Sequence, residues 1–295
     1  MFNLGGSFEY LHCAHCGTLQ LNEEIPDMGK YYPPNYGGFS VQRTKKRPSE
    51  LFFEKCTVHL LIFLPYIVSK SINELLFENY NAFQCLYGQR IGRNAKIMDV
   101  GCGSGSWLSS LSEAGYRNLV GVDLFNKNRN KDFLFIEGDI FSVSDSEQCD
   151  VITMHHSFEH MEYPKKVLRK CNKLLKKNGK LIIRIPVMGK YAWKKYGKYW
   201  AQIDAPRHLF LYTERALDYL CKQCGLKIVN VYYDSTDYYQ LKLSDLYQNT
   251  DLSFEMGKKR GILNKKNKEY EALSKRLNKT GNGDQAIFII KKGGK

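Results

Sequence analysis

The chain has 295 residues, 43% hydrophobic and 25% charged, with a formal net charge of +14 and nine cysteines. That length holds one large α/β domain with appendages, or two small domains. No apolar stretch reaches the ~18 residues of a membrane span: the longest, Leu60 to Val68, is interrupted by Pro65. Met1–Gly6 lacks a basic region followed by a long apolar run, so no export signal is expected. An odd number of scattered cysteines without such a signal points to a reducing cytoplasm, where most of them act as small core residues. The positive residues are spread over 43–47, 165–177, 190–198 and 258–268, with no stripe that carries an RNA-binding motif. They read as a solvated Lys-rich surface. A phosphate-bearing substrate is a second use for the charge, and nucleic acid is not expected as a partner.

Cys13-Ala14-His15-Cys16-Gly17 has the shape of a zinc knuckle. A four-ligand site needs a second pair, and nothing upstream provides one. His12 and His15 lie too close in sequence for all four groups to surround one ion. Cys13 and Cys16 are thus a minor zinc candidate, and no other metal is expected. The aromatic, Pro-containing segment at 31–36 reads as an ordered connector. Residues 49–88 read as helical, divided at Pro65. Their apolar face is expected to pack as an N-terminal cover, with peripheral membrane contact as the alternative use.

Ile97, Met98 and Val100 form a short apolar strand that runs into Gly101, Gly103 and Gly105, and a helical pattern opens at Ser106. Glycine permits the sharp turn and close approach of a ligand, and a helix N-terminus offers free N–H groups to an anion. A dinucleotide loop would read G-x-G-x-x-G, and here the third glycine is one place early. A second strand, 120–123, ends in Asp123, where a carboxylate suits a ribose diol. A third apolar run, 133–136, leads into Glu137-Gly138-Asp139. A fourth, 150–154, delivers His155, His156, Glu159 and His160 at its C-terminal end, where ligands sit in open α/β sheets. Tyr163 to Lys177 is an amphipathic helix stopped by Asn178-Gly179, and 180–186 is a fifth strand. The segment after the second strand, 125–132, is too short and polar for a full crossover helix.

Thr213 N-caps a further helix that ends at Cys224-Gly225. The Cys221/Cys224 pair on it reads as core rather than as a zinc site. A sixth strand follows at 227–233. Then come a polar, Lys-rich insertion at 234–283 with one helix at 267–277, and a last strand at 284–290. Alternating strands and helices imply a parallel sheet covered on both faces.

D-V-G-C-G-S-G at 99–105, G-V-D at 121–123 and G-D at 138–139 together resemble the class I S-adenosylmethionine (SAM) methyltransferases. The resemblance implies a Rossmann-like, seven-stranded α/β sheet with helices on both faces, and an antiparallel last strand. It implies SAM as cofactor, with Asp99, Gly101, Gly103, Gly105, Asp123, Asp139, Ile140 and His155 on the cofactor side. In that family the glycine loop packs on the methionine end, the acid after the second strand holds the ribose, and the later Asp contacts the adenine amino group. The N-terminal knuckle, at 1–40, is similar to the second half of a zinc ribbon that precedes some of these enzymes. A helical cover at 41–94 and the methyltransferase domain at 95–295 complete the expected organisation.

The Glu159-His160 pair with D-x-P-R-H-L at 204–209 resembles methyltransferases that build surface polysaccharides and other glycans. Quinone-pathway enzymes share the Glu-His pair. A sugar hydroxyl of a glycan or nucleotide-sugar precursor is the expected acceptor. A quinone-type small molecule is the alternative, and RNA a third reading. A hydroxyl is a poor nucleophile while protonated, so a base near neutrality is needed, and His suits the role. His156 is the first candidate and His208 the second. Glu159 or Asp204 would orient the imidazole, and Arg207 would pair with a substrate phosphate or carboxylate. The protein is expected to work as a monomer or homodimer.

Overall fold

The structure is a computed structural model that describes residues 6–32, 48–76, 83–124, 131–236, 241–250 and 268–294. Its frame is a seven-stranded sheet in the order β5-β4-β3-β6-β7-β10-β9. The strands are β3 (Ile97–Val100), β4 (Leu119–Asp123), β5 (Leu134–Glu137), β6 (Cys149–His155), β7 (Leu175–Pro186), β9 (Leu226–Tyr233) and β10 (Gln285–Lys292). β3 runs parallel to β4 and β6, and β4 parallel to β5. β10 is antiparallel to β9, as the resemblance implied. The sheet thus has the mixed, Rossmann-like order of a SAM methyltransferase, and β3 and β4 are buried throughout, as strands covered on both faces must be.

The chain divides into two compact units. The first in sequence order of its core comprises Pro34–His155 and Arg169–Ile182. It holds β3 to β6 and the helices α1 (Pro48–Phe63), α2 (Tyr66–Leu76) and α3 (Ser106–Glu113). Pro65 divides the first two helices as expected, and Ser69 Oγ donates to the Leu61 and Leu64 carbonyls at the break. Ile67 and Leu75 on α2 remain exposed, at 77% and 82%. Among the described residues no helix is long and apolar enough to cross a membrane. The segment 125–130, read as a shortened crossover, lies outside the described residues, as do 33–36 of the aromatic connector and 251–267 of the insertion.

The other unit comprises Met1–Pro33, His156–Leu168 and Ile183–Lys295. Here β1 (Tyr10–His12) and β2 (Leu19–Leu21) form a hairpin, and β8 (Phe210–Leu211) pairs antiparallel with β2. The hairpin turn carries Cys13 and Cys16, with Gly17 N–H donating to the Cys13 carbonyl at 2.8 Å. Both thiols are free, and among the described residues no third ligand joins them. Helices α5 (Tyr191–Tyr196) and α7 (Leu243–Asn249) were not legible in the sequence, each being too short to show a period. α6 (Glu214–Gln223) begins as predicted, with Thr213 Oγ1 accepting from Ala216 N–H. α8 (Lys268–Lys279) matches the expected helix of the insertion.

One boundary differs. α4 (Pro164–Leu174) stops short of Asn178-Gly179, and the chain is already extended from Leu175. Leu175 is fully buried, and Lys176 Nζ reaches the Asp150 carboxylate at 2.7 Å. Burial of one side chain and pairing of the next override the helical preference of the Lys-rich run.

Around Trp200 this second unit packs Leu19, Met188, Ala192, Tyr196, Leu211, Leu241 and Leu277. The indole Nε1–H donates to Asp284 Oδ2 at 2.5 Å, and Ser235 Oγ donates to Oδ1 at 3.0 Å. Burial pushes the Asp284 carboxyl up to about 7, against these two hydrogen bonds. The folded state therefore retains a proton that an unfolded Asp, at about 3.9, has already lost. Stability is full at low pH and falls as pH rises through about 7. Asp284→Asn keeps an acceptor for the indole and lets the Ser235 hydroxyl turn to accept. The variant is expected to lose this slope, so that its melting temperature gains on the native protein between about pH 4 and pH 7, the window of the shift. Parallel melting curves across that range would refute the assignment.

Candidate active site

The glycine loop lies where β3 meets α3. Gly101, Gly103 and Gly105 all have positive φ, at 75°, 53° and 71°. Gly105 is the N-cap of α3 in the left-handed region and supplies no side-chain cap, so the positive end of the helix faces the loop. A Cβ on Gly105 would stand 2.1 Å from Phe133 Cζ, and one on Gly121 would meet both Phe133 and Cys102 under 3.0 Å. The loop is therefore closed down on an aromatic ring that only glycine admits. Asp123 ends β4 and braces the loop: its Oδ2 accepts from Gly103 N–H at 2.8 Å.

The other residues of this side fall into distinct roles. Asp99 is buried, and its Oδ1 accepts from Thr153 Oγ1 at 2.7 Å. Burial pushes it up to about 7, with the Thr153 hydrogen bond opposing. Asp99 thus ties β3 to β6 from within, and its side chain is not presented to a ligand as the resemblance had it. Asp139 is exposed, and its Oδ1 accepts from Phe141 N–H at 2.9 Å and Ser142 N–H at 3.2 Å, capping the short turn Ile140–Ser142. Ile140 itself is 2% exposed, so its side chain belongs to the core and not to a binding surface. His155 ends β6 half-buried, its ring 4.6 Å from that of Trp107 on α3, with Nε2 3.7 Å from Cys85 Sγ. An uncapped helix start, a left-handed glycine cradle and a carboxylate at the end of β4 fit a SAM-type cofactor.

The second cluster belongs to the other unit, just past β6. His156 has φ 50° and Asp204 φ 40°, a backbone region that side chains adopt at some cost. The His156 imidazole, 33% exposed, is held from two sides. Nδ1 lies 3.3 Å from Glu159 Oε1, and Nε2 3.0 Å from Arg184 Nη1. A guanidinium only donates, so Nε2 carries the lone pair and Nδ1 the proton that faces Glu159. Arg184 is in turn fixed by Asp234, its Nε donating to Oδ2 at 2.5 Å. Arg184 and Asp234 escaped the sequence reading. The signal was there, a lone guanidinium in the apolar run Leu181–Pro186, but its partner lies 50 residues away.

Glu159 is 1% exposed. Burial pushes its carboxyl up, but contact with His156 and the proximity of His160 and His208 outweigh this and hold it below the ordinary carboxylate range. It orients His156 from a buried position. His208, the second base candidate, is corrected by its burial. It is 4% exposed, and its Nδ1 donates to the Gln202 carbonyl at 2.6 Å. Burial and the neighbouring His160 bring it down to about 4. A ring so enclosed is not placed to take a proton from an acceptor. Arg207 and Asp204 are corrected in the same way. Both are buried, and Arg207 Nη2 pairs with both Asp204 oxygens, so the two charges face each other inside the fold instead of a substrate. The Arg207 guanidinium also lies 5.8 Å over the Tyr32 ring.

A family profile described as a methyltransferase domain matches residues 68–231, more than half of the chain. The chain belongs to this family. It carries a SAM-dependent methyltransferase domain, and SAM is its cofactor. The curated relatives include a mitochondrial ubiquinone biosynthesis O-methyltransferase of Dictyostelium discoideum, 24% identical over 33% of this chain and 40% of that protein. An mRNA cap guanine-N(7) methyltransferase of Schizosaccharomyces pombe is 30% identical over 30% of this chain and 31% of that protein. The chain thus spans less than half the length of these two relatives. A ubiquinone biosynthesis O-methyltransferase of Neisseria meningitidis serogroup A is 25% identical over 54% of this chain and 73% of its own length. Among solved structures, a 1,6-didemethyltoxoflavin-N1-methyltransferase of Burkholderia thailandensis, bound to S-adenosylhomocysteine, is 12% identical over 98% of this chain and 100% of its own, with a TM-score of 0.48.

The Asp123 brace gives a direct test. A hydrogen bond to a charged group contributes about 1.5–3 kcal/mol. Asp123→Ala is expected to weaken SAM binding by about 10- to 150-fold in a calorimetric titration. An unchanged affinity would show that the loop holds its shape without Asp123.

Proposed function

We propose that the protein transfers the methyl group of SAM to a hydroxyl of a small-molecule acceptor. The observation that carries oxygen as the target is the His156 relay. Its imidazole is partly exposed, with a defined basic nitrogen, a buried carboxylate behind it and a paired guanidinium beside it. When bound, SAM supplies an electrophilic methyl on sulfonium sulfur. The chain's own residues manage the proton. An acceptor hydroxyl competes with Arg184 Nη1 for the lone pair on His156 Nε2, and its proton passes to that nitrogen as the oxygen becomes nucleophilic. Glu159, 3.3 Å from Nδ1, stabilises the resulting imidazolium by its charge, and Asp234 keeps Arg184 from opposing it by full charge repulsion. Such general-base assistance contributes about 10²–10⁴-fold.

Two acceptor classes remain in view. The ubiquinone O-methyltransferases among the relatives support an aromatic hydroxyl of the quinone type. The resemblance of Glu159-His160 and the 204–209 segment to glycan enzymes supports a sugar hydroxyl of a glycan or nucleotide-sugar precursor. Methyl-labelled SAM with a host lysate freed of small cofactors separates them. Label in the organic extract supports the quinone type, and label in nuclease-resistant polar glycan material supports the sugar. Label lost on nuclease treatment would overturn both in favour of RNA. For the base, His156→Ala is expected to lower the turnover rate by about 10²–10⁴-fold while leaving SAM affinity within about twofold. Equal loss of both would refute the separation of acceptor and cofactor roles.

A further inference from the structure

Glu159 poses a problem that the relay does not solve. Both of its carboxylate oxygens are buried, and neither accepts a hydrogen bond of acceptable geometry. His156 Nδ1 is near at 3.3 Å, but off the line such a bond requires. The carboxylate's charge is answered only by the imidazoles around it, with no hydrogen bond to either oxygen. The two other imidazoles around it are arranged in a specific way. His208 Nδ1 donates to the Gln202 carbonyl at 2.6 Å, and His160 Nδ1 to the Arg207 carbonyl at 2.7 Å. A carbonyl can only accept, so in each ring Nδ1 carries the hydrogen and Nε2 keeps its lone pair. That is the outer bonding by which proteins fix a metal-ligating histidine.

We propose that Glu159, His160 and His208 form a binding site for a divalent first-row transition ion, with Zn²⁺ as the leading occupant. One ligand atom from each of the three residues lies within 4.8 Å of the others, and His208 Nε2 is 3.8 Å from Glu159 Oε1. Two imidazole nitrogens and one carboxylate oxygen suit zinc and its neighbours. They do not suit calcium or magnesium, which prefer all-oxygen sets. An ion at about 2.1 Å from each ligand would draw them to about 3.4 Å apart in tetrahedral geometry, so binding closes the triad inward. Glu159 and His160 come from the turn Phe158–His160 after β6, and His208 from the segment before β8. These segments already meet through Leu209 N–H and the Glu159 carbonyl at 2.9 Å. The ion adds a second cross-link and supplies the positive charge that the buried carboxylate needs. His160, the half-buried member, leaves the open side for entry and for a further ligand.

The probe is Co²⁺, titrated into the full chain after chelator treatment. The expected result is stoichiometric binding with visible d–d bands and no thiolate charge-transfer band. Glu159→Gln and His160→Gln are each expected to weaken it by about 100-fold or more, while Cys13→Ser with Cys16→Ser leaves it intact. Circular dichroism checks that the variants fold. X-ray absorption on the zinc-loaded native protein gives an independent reading, with nitrogen and oxygen ligands only. Failure of the native protein to bind Co²⁺, sulfur in the coordination shell, or affinity unchanged in both ligand variants would each overturn the site.

Discussion

A carboxylate enclosed by protein has to be answered by donors or positive charge, and the segments after β6 and before β8 are built around one such group, Glu159. Moving an ionised carboxyl out of water is destabilising by several kcal/mol even after relaxation. The surrounding charges mostly close among themselves. Arg207 is taken by Asp204, and Arg184 by Asp234. What is left to face Glu159 is imidazole, on His156, His160 and His208. This sorting decides the chemistry. Of these rings, His156 combines exposure with a relay on both nitrogens, while His208 is enclosed and His160 is tied to a backbone carbonyl.

The cofactor side obeys a different constraint, which is space. Gly105 and Gly121 are glycine because Phe133 occupies the volume a Cβ would need. The left-handed turns that result start α3 without a side-chain cap, and Asp123 holds the middle of the loop through Gly103. The loop's shape thus comes from packing beneath it and from one carboxylate beside it. Asp99 contributes by tying β3 to Thr153 of β6, which makes it a support of the strand that presents the loop.

The strain at His156 and Asp204 fits this picture. Non-glycine residues at positive φ hold that conformation only when their surroundings fix it. His156 is fixed by its own N–H, which donates to the Arg184 carbonyl at 2.9 Å, and Asp204 by its pairing with Arg207. Both strained positions therefore border the Glu159 cluster. With the backbone bent there, the His156 ring lies between Glu159 and Arg184.

The order of strands and helices, the glycine loop, Asp123 and the antiparallel last strand were readable from the sequence, because each rests on local pattern: apolar runs, glycine spacing, and an acid at a strand end. The N-cap at Thr213 and the break at Pro65 were readable for the same reason. The roles of Arg207, Asp204 and His208 were not. Sequence offers a charged residue in a loop, and only the fold says whether its charge meets water or a buried partner. Arg184 and Asp234 came together across 50 residues, and Glu159 with His208 across two separate segments. Local pattern therefore determined the family's sheet and its cofactor loop. Which imidazole is open, which carboxylate is starved of partners, and which ion pairs cancel were decided by tertiary burial, since the energy of a charge depends on everything that surrounds it and not on its neighbours in the chain.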